Sequence, residues 1–171
     1  TFTGAVGTAP YTFSYSINGG PALTVTTTSG NTVTVPAPTS TTGTFVYTLL
    51  NVTDGTSTAC TQNQFGTATI IINPLPTASI SGTTEQCENG TGPVVTFTGA
   101  TGTAPYTFYY RINGGPLLNV TGTGNTATVT APTNSPGTYV YTLVSVTDAS
   151  NTTCSNLQTG SATIIIHPLP T

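Results

Sequence analysis

Apolar and polar residues alternate along the chain in short runs, and the clearest run is Tyr106 to Ile112. Tyr106, Phe108, Tyr110 and Ile112 fall on one side, and Thr107, Tyr109 and Arg111 on the other. A period of two places the first set on the buried face of a strand and the second on the solvent face. The same pattern marks strands around Ile80 (78–84), at 93–98, around Leu118 and Val120, at 125–131, at 138–147 and at 161–166. In the long run 138–147 the alternation slips at Val144-Ser145, which predicts a β-bulge. Asn113-Gly114-Gly115-Pro116 reads as a turn, because Asn-Gly adopts positive φ readily. No helical period appears. About seven short strands separated by turns predict an all-β fold, a Greek-key sandwich of the immunoglobulin-like type.

The pattern occurs twice. Thr1-Phe2-Thr3-Gly4-Ala5 returns as 96–100, Ile17-Asn18-Gly19-Gly20-Pro21 as 112–116, and Pro74-Leu75-Pro76-Thr77 as 168–171. Roughly two-thirds of aligned positions are identical, the mark of tandem modules. The inward set Tyr11, Phe13, Tyr15 and Ile17 is unchanged in the second copy, whereas outward Ser14 and Ser16 become Tyr109 and Arg111. Two modules are expected, 1–76 and 77–171. The first has no counterpart of residues 77–95, so its first strand is expected from upstream or from another subunit, and the chain is expected to be a piece of a longer array. Pro-Leu-Pro-Thr after each last strand withholds ladder donors and predicts a short, stiff linker.

Charge narrows the partners. The 171 residues carry one Arg and no Lys, four acids (Asp54, Glu85, Glu88, Asp148) and a net charge of −3. One cation cannot neutralise a run of phosphates, so no nucleic-acid partner is expected. Attraction to anionic lipid is excluded on the same ground, and no apolar stretch is long enough to suggest insertion as a helix. Thr, about a quarter of the chain, supplies polarity in place of charge. Cytosolic domains are usually far more charged, so an extracellular, cell-surface location is expected.

Candidate chemistry is sparse. Cys154 matches Cys60, and Cys87 lies in the segment the first copy lacks. A Cys87–Cys154 disulfide is expected, with Cys60 paired upstream of Thr1. Free thiols, or a Cys60–Cys87 bond, remain open. No metal ligand set stands out, because His167 is replaced by Asn73 and no C-x-x-C exists. Asp54 and Asp148 each follow Val-Thr at the end of the long strand. They read as turn caps rather than calcium ligands, since a calcium site wants several carboxylates. Four acids over two modules give no pair suited to glycoside hydrolysis, and a single His permits no repeated catalytic set. No enzymatic activity and no cofactor are expected. Tyr109 beside Arg111 is a possible contact for surface glycans. Asn51, Asn89, Asn119 and Asn151 lie in N-x-[S/T] sequons and are possible glycosylation sites.

Gly137 to Asp148 and Gly43 to Asp54, reading Gly-Thr-Tyr/Phe-Val-Tyr-Thr-Leu-x-x-Val-Thr-Asp, resemble the penultimate strand of PKD-like and bacterial immunoglobulin-like domains. With Gly-Thr-Ala-Pro-Tyr-Thr-Phe, Ile-Asn-Gly-Gly-Pro and Pro-Leu-Pro-Thr, each unit is similar to the tandem repeats of giant Bacteroidota surface proteins, the gliding-adhesin-like proteins exported by type IX secretion. The resemblance implies a structural stalk or filament segment whose partners are neighbouring copies of the module. A carbohydrate-binding module and a fibre subunit joined by donated strands are the alternatives. The resemblance carries over no catalytic residues.

Overall fold

The structure, a computed structural model, describes residues 1–170. All regular elements among them are β-strands. The chain divides into two compact units, Thr1–Ile72 and Asn73–Thr171. The division falls four residues before the expected 76/77 boundary. Asn73 and Pro76 explain the difference, because both are fastened to the second unit. The Asn73 side chain donates to Thr152 Oγ1 (3.0 Å), and the Pro76 carbonyl accepts from the Asn156 side chain (3.0 Å). Pro76 is fully buried. The segment read as a linker thus belongs to the second fold. The expected module end at Thr171 lies outside the described residues.

The second unit contains nine strands among the described residues, two more than the sequence predicts. They are β7 (Thr77–Ser81), β8 (Thr84–Cys87), β9 (Val94–Ala100), β10 (Thr107–Ile112), β11 (Leu118–Thr121), β12 (Thr126–Thr130), β13 (Gly137–Thr147), β14 (Ser155–Leu157) and β15 (Ser161–His167). One sheet has the order β12-β9-β7. The other runs β11-β10-β13-β15-β8, with β14 also on β13. All pairs are antiparallel except β8 with β15. The inward faces meet in one core, to which Val95, Phe97 and Ala127 come from the first sheet and Phe108, Tyr110, Tyr141, Leu143 and Ile164 from the second. Phe97 stacks on Phe108 with ring centroids 5.6 Å apart, a spacing suited to offset aromatic packing. This is a β-sandwich with immunoglobulin-like strand order.

The bulge lies where the alternation slips. Tyr109 faces Ser145 and Tyr110 faces Leu143, leaving Val144 as the extra residue. In the first unit Leu50 is skipped in the same way, between Ser14–Asn51 and Tyr15–Leu49. The Asn-Gly turns also form as expected, with φ of 50° at Asn113 and 70° at Gly114. Asn113 does more than turn the chain. Its side chain accepts from Val140 N–H (2.7 Å) and donates to the Thr138 carbonyl (3.0 Å), which ties the hairpin to β13. Asn18 holds Val46 and Thr44 identically.

The first unit has six strands: β1 (Phe2–Thr3), β2 (Thr12–Ile17), β3 (Leu23–Thr26), β4 (Thr32–Val33), β5 (Gly43–Thr53) and β6 (Thr61–Ile72). One sheet is β3-β2-β5-β6 and the other only β1-β4. Phe2 stacks on Phe13 (5.5 Å), so the two sheets face each other here too. β1 pairs only with β4, and β6 only with β5. The corresponding strands of the second unit, β9 and β15, each have a further neighbour, β7 and β8.

Candidate functional site

Two open features of the first unit lie where β7 and its lead-in run in the second. A cleft of about 260 Å³ is bordered by Phe2, Tyr47, Leu49, Gly66, Ala68 and Ile70. Their counterparts Phe97, Tyr141, Leu143, Ala162 and Ile164 are all sealed. What seals them is visible at the glycine. A Cβ on Gly160 would lie 3.1 Å from Ile80 Cγ2, whereas a Cβ on Gly66 would meet nothing within 4 Å. Ile80 of β7 therefore occupies in one unit the space left open in the other.

A second cavity, about 320 Å³, is lined by Val6, Tyr11, Val52, Asp54 and Gln64. In the second unit this region is occupied by Pro76, whose Cβ lies 3.1 Å from a Cβ built on Gly102. Leu75 and Ala78 are held beside it. Thr101 Oγ1 donates to the Leu75 carbonyl (2.9 Å), and Gln158 Oε1 accepts from Ala78 N–H (3.0 Å). Gln64 repeats Gln158 without that partner. Val6 replaces Thr101 and is fully exposed, and Phe65 replaces Thr159 and is 93% exposed. Val6 thus borders the second cavity where the second unit has Thr, while Phe65, between the lining residues Gln64 and Gly66, projects into solvent. Sequence reasoning recognised the absent strand but not the roles of Pro76, Gly66 or Gln64. The identity of Gly66 with Gly160 and of Gln64 with Gln158 was the available signal.

The two aspartates are turn clasps. Asp148 Oδ1 accepts from Ser150 Oγ (2.7 Å), Ser150 N–H (3.2 Å) and Cys154 N–H (2.9 Å), and Oδ2 accepts from Thr103 N–H (3.0 Å). Burial is the largest influence on its carboxyl and opposes ionisation. The combined hydrogen bonds outweigh it and lower the pKa below the usual 3.8. Asp54 repeats the clasp with Thr56 and Cys60, and its pKa is lowered chiefly by the Thr56 hydroxyl. In both, Oδ1 collects donors from the following turn, as a turn cap requires. Among the described residues no three His, Cys, Asp or Glu side chains cluster as metal ligands would. Glu85 pairs with His167 at 2.8 Å on an open surface.

The expected Cys87–Cys154 disulfide is not formed, and all three thiols are free. Register gives the reason. Cys87 lies beside His167, next to the Gly137 end of β13, whereas Cys154 precedes Ser155, which faces Thr147 at the other end. Ten strand steps of about 3.3 Å separate these ends by roughly 30 Å. A disulfide needs Cα atoms within about 7 Å. Equal numbers of cysteines per module did not reveal that they occupy opposite poles. Cys60 is exposed at the pole matching that of Cys154.

Tyr109 and Arg111 share the outer face of β10, both half-buried. Arg111 Nη1 donates to the Gly115 carbonyl (2.6 Å), which anchors the guanidinium over its own hairpin. The sequons occupy different settings. Asn51 is a half-buried residue of β5, Asn119 an exposed residue of β11, and Asn89 and Asn151 exposed turn residues. The hydroxyls of Tyr47 and Tyr141 are buried without hydrogen-bond partners. Burial raises the Tyr141 pKa. Because this orphan recurs in the fully covered unit, it does not mark a ligand. No family model matches the chain, and no curated protein matches it.

Proposed function

We propose that this chain is a structural repeat segment of an extracellular stalk or filament, built to set length and spacing rather than to carry out chemistry. The observation that carries this reading is the concentration of sequence identity on the fold itself. The aromatic spine, the Asn-Gly clamps and the aspartate clasps repeat in both units, while Ser14 and the buried Ser16 of β2 give way to Tyr109 and Arg111 of β10. An enzyme or a dedicated binding module would be expected to keep a site. The anchoring of Asn73 and Pro76 leaves few free bonds between one sandwich and the next, which favours a semi-rigid array. Low charge and a Thr-rich surface suit a cell-surface setting.

Scattering from arrays of two, four and eight modules tests this. The maximum dimension should rise by a constant increment of about 40 Å per module, roughly the length of an eleven-residue strand. A dimension growing only as the cube root of mass would overturn it. A second reading, glycan binding at Tyr109, is favoured by the neighbouring anchored Arg111. It predicts glycan-array signal lost in Tyr109→Ala.

A further inference from the structure

The cleft over Gly66 and the cavity beside Asp54 are not separate features. In the second unit, Pro76 fills the equivalent of one and Ile80 the equivalent of the other, and the two residues are four positions apart on a single extended segment. Beyond Ile80 the same segment forms β8, which lies parallel on β15. The matching edge of β6 is open, and Ile71 there is 60% exposed. One continuous polypeptide of about fourteen residues would therefore close both cavities and both sheet edges.

We infer that the first unit is a strand-acceptor site whose occupant is a repeat-opening segment of the kind seen at residues 74–87. The register follows by superposing the repeats. The residue matching Ile80 stands opposite Phe2 and enters the cleft over Gly66. The residue matching Thr77 stands opposite Ala5, and the residue matching Pro76 enters the cavity beside Asp54. The residues matching Thr84 to Gln86 run parallel to Ile70 through Ile72. Main-chain hydrogen bonds to β1 and β6 supply affinity, and the two inserted side chains supply specificity. The occupant's chemistry is narrow: uncharged and extended through its first eight residues, with a small residue two before the Ile so that it passes under the Gln64 amide. Val6, which lines the cavity beside Asp54, gives it an apolar contact where the second unit has Thr101. This inference does not depend on the chain being a stalk, since a strand-accepting sandwich serves any extracellular module.

The test adds a synthetic peptide of residues 74–88 to the 171-residue chain and follows thermal unfolding and amide exchange. The expected result is a 1:1 complex. The first unit's transition should appear, or rise by about 10 °C at peptide concentrations near a hundred times Kd. Exchange should slow at residues 1–5 and 70–72. The peptide carrying Ile80→Asp should lose the effect. So should the chain carrying Gly66→Val, whose new side chain occupies the cleft without meeting any neighbour. Three outcomes would overturn the inference: no shift at millimolar peptide, an equal shift with the Ile80→Asp peptide, or self-association of the chain that excludes the peptide. The last would show that the open edge is covered by a second copy's surface instead. A failure here would leave the scattering increment of a long array untouched, and a failed increment would leave peptide binding untouched.

Discussion

Ile164 and Ile70 occupy the same position in the repeat and are flanked by the same residues, Thr-Ile-Ile-Ile. In the second unit Ile164 is inaccessible to solvent, and in the first Ile70 is half-exposed. The same contrast holds for Ala162 and Ala68, for Leu143 and Leu49, and for Val146 and Val52. It does not hold for Tyr106 and Tyr11, Phe108 and Phe13, Tyr110 and Tyr15, or Tyr141 and Tyr47, which are buried in both. The aromatic spine of β2 and β5 is closed in both units, whereas the aliphatic flank is sealed only in the second, where β7 and β8 extend the two sheets. One repeat thus combines a half that packs the same way in both units with a half whose burial follows those two strands.

This comparison can be broken experimentally. The largest expected difference is at the aliphatic flank. Ile164→Ala should destabilise the second unit by about 3–4 kcal/mol, through lost burial and a cavity that cannot collapse. Ile70→Ala should cost about 1–2 kcal/mol, because part of that side chain is already in water and the cleft beside it is open. Denaturant melts of the two variants give the ratio, and equal losses would refute the contrast. Next is the Asp148 clasp. Asp148→Ala leaves the amides of Thr103, Ser150 and Cys154 without an acceptor and should cost about 2–3 kcal/mol. Because the folded pKa of Asp148 is lowered, its stabilisation is present above about pH 4 and is lost as pH falls through the folded value. The acid limb of a stability–pH profile should flatten in Asp148→Asn. Gly160→Val should follow at about 1–3 kcal/mol, since Gly160 has φ of 137° and Ile80 is in the way. Gly66→Val should stay within about 0.5 kcal/mol. The smallest effect belongs to Thr12→Ala and Thr107→Ala. Each removes a cross-strand hydroxyl pair of 2.9 Å, with Thr26 and Thr121 respectively. Each should cost about 0.5 kcal/mol, equally in both units, and so calibrates the larger differences.

Strands with a buried and a wet face were legible in the sequence because period two is a local signal. Tyr106 to Ile112 and the slip at Val144 are cases of it. β8 and β14 were not legible. Thr84-Glu85-Gln86-Cys87 and Ser155-Asn156-Leu157 have no apolar alternation, and their strand character comes wholly from the ladders of β15 and β13. Pro76 was read as punctuation for a similar reason. Its local effect is to end a ladder, and only the fold shows that it fills a core. Cysteine pairing failed because it is a statement about distance along β13, which residue counts do not contain. The site itself was half legible. The missing residues 77–95 told where a strand was absent, but not that two cavities and two edges would fall on one path.

The parallel pairing of β8 with β15 has a mechanical consequence. The chain enters the second unit at the pole of Asp148 and leaves β15 at the pole of His167. Tension applied along such a chain pulls the first and last strands past one another. The ladder from Thr84–Ile164 to Cys87–His167 is then loaded in shear, with its bonds strained together rather than opened one at a time. A short ladder in that geometry acts as a force-bearing clasp. The first unit, whose β6 has no such partner, would yield at lower load until a strand seats there, so seating the strand would convert a soft link into a load-bearing one.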